Sequence, residues 1–139
     1  MQTIQWDANR HALASEMDKE HRQSVQLIRQ LAQASAGEER MRLEELCAYC
    51  EDHFAREMAW MQTYSLPLPE GHVRDHAAIM TRLMDLDEAM LRGRTGAARE
   101  ACGELFAWFD QHFRTYDAAL ALCMSKGKPS AGPGIPAVG

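Results

Sequence analysis

The sequence predicts an all-α protein, an up-down-up-down four-helix bundle with an N-terminal arm and a flexible C-terminal tail. Four segments of about 20 to 28 residues carry apolar side chains at helical spacing, and short or moderate connections separate them. Proline and glycine are scarce before the last stretch, and a length of 139 residues suits one domain. We therefore expect an arm over residues 1–15, the bundle over 16–125 and a disordered tail over 126–139.

The first predicted helix starts with a capping-box pattern, in which Asp18 follows Ser15 by three residues, and it ends by Gly37. Its core-facing stripe contains Met17, His21, Ser24, Val25, Ile28 and Leu31. His11 precedes this stripe and matches none of its positions. We interpret His11 as an exposed arm residue that belongs to no site.

The second predicted helix runs from about Glu38 to the segment 65–69, whose two prolines cannot continue a helix. Its stripe contains Leu43, Leu46, Cys47, Cys50, His53, Phe54, Glu57, Trp60, Met61 and Tyr64. The third helix begins near Glu70 and ends at Gly93 or Gly96, because glycine is the usual residue at a helix C-terminus. Its stripe contains His72, His76, Ile79, Met80, Leu83, Leu86 and Met90.

The fourth predicted helix follows from about Ala97 and stops where glycine and proline become frequent, over residues 126–134. Its stripe contains Ala101, Cys102, Leu105, Trp108, Phe109, His112, Tyr116, Leu120 and Cys123. The four cysteines of the chain fall within helical segments, which predicts reduced core thiols and not a disulfide framework. Cys47 and Cys50 lie in mid-helix, away from the exposed helix N-terminus that would lower a thiol pKa.

Charge and hydropathy exclude two classes of partner. The formal net charge is -5, and no basic run could neutralise a row of phosphates, so nucleic acid is not an expected partner. The first residues lack a signal-peptide pattern, and no window approaches the ~18 apolar residues of a membrane span. We expect no membrane span and a cytoplasmic location.

The stripes contain polar residues at positions where a bundle normally has leucine, and buried polar groups need partners. The five histidines and two carboxylates are His21, His53, Glu57, His72, His76, His112 and Asp117. Two pairs, His53 with Glu57 and His72 with His76, have the i,i+4 spacing that places both side chains on one helix face. Imidazole with carboxylate suits iron, manganese or zinc, whereas the missing thiolate argues against structural zinc. The Glu-x-x-His motif of ferritin-like sites does not occur in the sequence.

One spacing in this set is unusual. His112 and Asp117 are five residues apart, which places them roughly 140° apart on an ideal helix. Either a wide stripe lets them approach the metals from two flanks, or a local π-bulge realigns them. The sequence leaves both alternatives open.

The full pattern resembles the hemerythrin family over nearly the whole domain. It is His21, then His53-Phe54-x-x-Glu57, then His72-x-x-x-His76, then His112-x-x-x-x-Asp117. Trp6, Asp18 before His21, Met61 and Trp108 also match bacterial members, while Met17 and Met58 depart from residues common at their positions. Neither departure involves a ligand position.

The resemblance implies a pair of non-haem irons, Fe2+ or Fe3+, bridged by Glu57, Asp117 and an oxo or hydroxo group. It implies that one iron is bound by three histidines, which are His72, His76 and His112. His21 and His53 would bind the other iron, where one position stays open for dioxygen. The resemblance also makes Phe54 and Trp108 candidates for lining the oxygen pocket.

The implied function is reversible dioxygen binding for transport, storage or delivery, without enzymatic turnover, with an oxygen-consuming enzyme as a possible recipient. Two alternatives stay open, an oxygen or redox sensor with a downstream signalling partner, and a di-iron enzyme acting on nitric oxide or peroxide. Such an enzyme needs a proton source near the open iron, and only Cys50 or Tyr116 qualifies in the sequence.

Overall fold

The computed structural model describes residues 11–126, with side chains from Glu16 onward. No strand occurs in this part of the chain, which confirms the all-α bundle. The elements are α1 (His11–Ala32), α2 (Glu39–Thr63), α3 (Glu70–Leu91), α4 (Ala97–Glu100), α5 (Cys102–His112), a π-helical turn (Phe113–Asp117) and α6 (Ala118–Lys126). The elements from α4 to α6 follow one another almost without interruption and together form the predicted fourth helix. None of the helices between residues 11 and 126 is long and apolar enough to cross a membrane.

The N-terminal boundary differs from the sequence prediction. Helix α1 already includes His11, so the predicted arm over residues 1–15 and the capping box at Ser15 place the helix start too late. The segment Ala12-Leu13-Ala14 favours helix by intrinsic propensity, which outweighs the local capping pattern. Residues 1–10, including Trp6, and the predicted tail after Lys126 lie outside the described residues.

The core has two apolar clusters at opposite ends of the bundle. The larger cluster includes Ile28, Leu43, Leu83 and Leu105, and the smaller cluster is formed by Met17, Met61, Leu120, Ala121 and Met124. Along α2, buried Glu57 lies between Phe54 of the larger cluster and Met61 of the smaller one, and buried His53 is one turn before Glu57. A polar layer therefore crosses the middle of an otherwise apolar core.

A buried carboxylate joins the start of α2 to the start of α4. Glu39 is only 1% exposed, and its two oxygens accept hydrogen bonds from the backbone amides of Gly96 at 2.8 Å and Arg99 at 2.9 Å. Burial alone would raise the pKa of Glu39, but these amide hydrogen bonds and the Arg99 guanidinium outweigh burial and lower the pKa below 4.5. This contact could not be predicted from the sequence, because it joins residues far apart in the chain.

Replacing Glu39 with glutamine is expected to lower the free energy of unfolding by about 2 kcal/mol at neutral pH, because one hydrogen bond loses its charge and the other is replaced by an NH2 group that faces a backbone N–H. A carboxylate with a lowered folded-state pKa stabilises the fold above its unfolded value and loses this effect as pH falls through the folded value. The difference between the parent and the variant should therefore shrink below about pH 4.5. Urea unfolding at several pH values measures it, with exposed Glu44→Gln as the control. A difference independent of pH would contradict this account.

Candidate metal centre

Five of the seven residues predicted as metal ligands come together in the polar layer. Each offers a donor atom, these atoms all lie within 4.8 Å of one another, and all five side chains are buried. The five are Glu57, His72, His76, His112 and Asp117. Helices α2 and α3, the end of α5 and the π-helical turn supply them, so the centre depends on the assembled bundle.

The histidine side chains of this group point the same ring nitrogen inward. Nε2 of His76 lies 2.9 Å from Oε1 of Glu57, and Nε2 of His72 lies 3.3 Å from the same oxygen. Oδ1 of Asp117 lies 3.2 Å from Nε2 of His72 and 3.1 Å from Nε2 of His112. The donors of α3 and α5 therefore face both carboxylates.

Glu57 faces different histidines with its two oxygens. Its Oε1 is directed toward His72 and His76, whereas its Oε2 lies 3.3 Å from Nε2 of His53. Glu57 is fully buried, so neither oxygen is solvated. This arrangement lets one carboxylate contact two neighbouring cations.

His21 is placed differently from the other predicted ligands. It is partly exposed, and its ring stacks on Phe113 with centroids 4.0 Å apart. Burial is the main cause that lowers the pKa of His21, and it outweighs the nearby carboxylates. His21 lies outside the five-residue cluster, so its assignment as a ligand stays a prediction.

The π-helical turn decides between the two alternatives for His112 and Asp117. The turn, Phe113–Asp117, follows His112 directly and ends at Asp117. Because a π-turn has more residues per turn than an α-helix, it brings two positions five residues apart toward the same face. Both side chains are consequently buried in the centre.

Deleting Thr115, which is exposed and donates only to the carbonyl of Gln111, is expected to preserve the centre. The deletion gives His112 and the aspartate an i,i+4 spacing, about 40° apart on a regular α-helix. Metal content and melting temperature should stay close to those of the parent. Deletion of exposed Ala119 in α6 is the control, because it rotates Leu120 out of the core. Loss of metal after Thr115 deletion, with helix content kept, would show that the π-turn itself sets the ligand geometry.

Two carboxylates outside the predicted ligand set contact the centre. Glu20 accepts a hydrogen bond from Nδ1 of His53, and Asp75 lies 2.7 Å from Nδ1 of His112. The sequence analysis missed both residues. Helical spacing could have indicated Glu20, because it lies three residues after Met17 and four before Ser24, on the core-facing stripe.

The pKa values of the histidines and carboxylates in the centre depend on burial and on the hydrogen bonds between these groups. Burial lowers the pKa of His112, but hydrogen bonds to Asp117, Glu57 and Asp75 outweigh burial and raise this pKa to about 10. Burial dominates at His76 and lowers its pKa. Burial would raise the pKa of Glu57, but hydrogen bonds from the surrounding histidines hold it well below 4.5. Binding of a cation at Nε2 of His112 must therefore displace a proton from this imidazole.

The donor set fits a metal pair. Oε2 of Glu57 and Oδ1 of Asp117 are buried and make no hydrogen bond of ordinary geometry within residues 11–126. Nε2 of His76 and Nε2 of His112 lie 3.2 Å apart, a contact that two lone pairs tolerate only with a proton or a cation between them. Carboxylates and imidazoles without thiolates suit iron, manganese or zinc.

Aromatic side chains cover the side of the centre that faces α3 and α5. Phe54 stacks on His76 with centroids 3.9 Å apart, and Trp108 stacks on His112 at 4.6 Å. Phe54 also lies 5.5 Å from His53. Their role in an oxygen pocket stays a prediction.

The two proton sources considered from the sequence do not suit an open position near His53. The ring centroid of Tyr116 lies 5.3 Å from that of His72 and 5.6 Å from that of His112. Tyr116 is therefore next to these two histidines and not next to His53. Cys50 is fully buried, and burial raises the pKa of its thiol far above the usual range. All four cysteines are free thiols, with Cys47 and Cys123 only partly buried.

Comparisons with known proteins agree with this geometry. A family model described as hemerythrin HHE cation binding domain matches residues 10–121. A relative named bacteriohemerythrin, from Ralstonia nicotianae (strain ATCC BAA-1114 / GMI1000), is 27% identical over 131 residues, which cover 94% of this chain and 96% of the relative. No solved structure matches the chain significantly. The chain belongs to the hemerythrin family.

Proposed function

We propose that this chain binds two iron ions in the polar layer and uses them to bind dioxygen reversibly, as a carrier or store and not as an enzyme. The observation that carries the proposal is the placement of Glu57, whose two oxygens face His53 on one side and His72 with His76 on the other. A single octahedral ion would leave part of this donor set unused. Bound iron would supply the redox chemistry that protein side chains lack.

The residues around the centre support reversible binding over catalysis. Phe54 and Trp108 pack against His76 and His112 and exclude water from that side, which protects a bound ligand from protons of the solvent. Cys50 keeps its proton because its pKa is raised by burial. Tyr116 is 37% exposed and lies beside His72, away from His53.

The proposal includes a cytoplasmic location and an oxygen-consuming enzyme as recipient. The four free cysteines support the location, because thiols persist in a reducing compartment. The curated relative carries the name bacteriohemerythrin, which supports a shared function for the two chains.

Anaerobic reconstitution with Fe(II), followed by cycles of air and argon under an absorption spectrometer, tests the proposal. We expect two irons per chain by elemental analysis and a visible band that appears in air and disappears under argon over many cycles. Bleaching after one cycle would indicate enzymatic or oxidative turnover. One metal per chain, or zinc as the native metal, would overturn the di-iron proposal.

A further inference from the structure

We propose that Glu20, held in place by Arg56, is a positioning residue that orients His53 and thereby controls one of the two metal positions. The inference rests on the proposed two-metal centre. Glu20 is 3% exposed although it is charged, and one carboxylate oxygen accepts a hydrogen bond from Nδ1 of His53. Its other oxygen accepts a hydrogen bond of 2.7 Å from Nε of Arg56.

The hydrogen bond to Glu20 decides which nitrogen of His53 can bind a cation. A neutral imidazole carries one N–H and one lone pair, and a carboxylate at Nδ1 holds the proton there. Nε2 is then left with its lone pair, and it is this nitrogen that lies 3.3 Å from Glu57. A carboxylate behind a ligating histidine commonly fixes its ring in this way.

The ring of His53 is also supported on its face. Tyr49 lies nearly parallel to it, with centroids 5.6 Å apart and an interplanar angle of 10°. The hydroxyl of Tyr49 donates to the backbone carbonyl of Glu20, so Tyr49 contacts both His53 and Glu20. The histidine is therefore held by groups from both α1 and α2.

Arg56 gives the buried carboxylate of Glu20 its counter-charge. A carboxylate removed from water without a cation would be strongly destabilised. The guanidinium of Arg56 reaches Glu20 from the surface, where its side chain is 38% exposed, and it also pairs with Asp52. Glu20 is thus paired with a cation in the core.

The other histidines do not depend on this network. Nδ1 of His112 has its own partner in Asp75, and the buried Nδ1 atoms of His72 and His76 have no hydrogen-bond partner within the described segment. Glu20 also directly precedes His21 in α1, and His21 is close enough to His53 for the two imidazoles to interact electrostatically. Loss of Glu20 should affect the position served by these two histidines and leave the other intact.

Cobalt(II) titration of the metal-free protein measures the effect, with Glu20→Ala, Glu20→Gln and Arg56→Met compared with the parent. We expect Glu20→Ala to weaken one of two cobalt equivalents by roughly 10- to 100-fold, as changes behind a ligand commonly do, and to leave the other unchanged. Arg56→Met should have a smaller effect in the same direction. Glutamine keeps an acceptor oxygen, so Glu20→Gln should recover part of the affinity.

Two matched controls separate positioning from general destabilisation. Arg82→Met removes an interhelical arginine–carboxylate pair of similar geometry, with 2.7 and 2.9 Å contacts to Glu104. Arg82 lies six residues after His76 in α3, more than one helical turn beyond it. Glu39→Gln removes a buried carboxylate whose hydrogen bonds come from the backbone amides of Gly96 and Arg99 and not from a histidine. Neither control should change either cobalt equivalent. An equal loss of both equivalents in Glu20→Ala, or no loss, would overturn the inference.

A second readout does not depend on the number of metals. In the zinc-loaded protein, the Nδ1–H proton of His53 should give a slowly exchanging NMR signal that survives in Arg82→Met and Glu20→Gln and disappears in Glu20→Ala. An unchanged signal in Glu20→Ala would overturn the inference even if the protein binds two ions. If the parent binds only one cobalt ion, the proposed two-metal function fails, and the NMR signal alone decides the role of Glu20.

Discussion

Replacing Glu57 with glutamine should remove nearly all bound metal from both positions. The two oxygens of Glu57 face opposite groups of histidines, so the carboxylate would contact both cations of the proposed pair. Glutamine has a similar shape but no charge. Its NH2 group would replace one of the two carboxylate oxygens, and this group donates hydrogen bonds and offers no lone pair to a cation. The loss of metal affinity should exceed the roughly 10- to 100-fold change that is typical of residues that hydrogen-bond to a metal ligand but do not bind the metal.

Elemental analysis after anaerobic reconstitution with iron measures this loss, and circular dichroism checks that the helices remain. Glu51→Gln is the matched control, because Glu51 is an exposed glutamate two turns earlier in α2. The control should bind as much iron as the parent. Retention of one iron per chain in Glu57→Gln would contradict the bridging role, because the carboxylate would then serve a single ion.

The bundle and much of the centre could be predicted from the sequence, because both follow from local patterns. Proline at residues 67 and 69 and glycine at 93 limit α2 and α3, and the observed bounds agree closely with those predicted. Helical spacing placed His72 and His76 on the core-facing side of α3, where the structure has both buried. Such signals are short in range and need no knowledge of the tertiary structure.

The parts that were missed depend on contacts between distant segments. The π-helical turn was one of two alternatives, since only packing against the other helices determines how the i,i+5 pair is accommodated. Glu20 and Asp75 contact histidines on other helices, and their charge alone is typical of a solvated face. The start of α1 was placed too late, because a capping pattern is a weaker signal than the helix propensity of the residues before it.

The placement of His21 could not be predicted for a related reason. Its spacing on α1 puts it on the core-facing side, but spacing does not fix a side-chain rotamer or its stacking partner. In the structure, its ring lies on Phe113, and five of the other six predicted donors form a compact group without it. In the proposed metal pair, one position would thus have its donors in the compact group, whereas the other would depend on a histidine at the edge of that group.

Replacing His21 with alanine should therefore reduce the bound iron from two ions to one per chain. The five clustered donors should keep their geometry, because no hydrogen bond joins any of them to His21 within residues 16–126. The position that combines His21 with His53 loses a ligand and should not retain iron through desalting. His11→Ala is the matched control, since it removes a histidine from the same helix that matches no ligand position, and it should keep both ions.

Elemental analysis and a cobalt titration of both variants measure this prediction. Two ions retained in His21→Ala would mean that His21 is not a ligand and that stacking on Phe113 is its role. Complete loss of metal would mean that the two positions cannot fill independently, despite the compact group of five donors. One retained ion would show that His21 serves only the position that it shares with His53, because the five clustered residues still supply the other ion with donors.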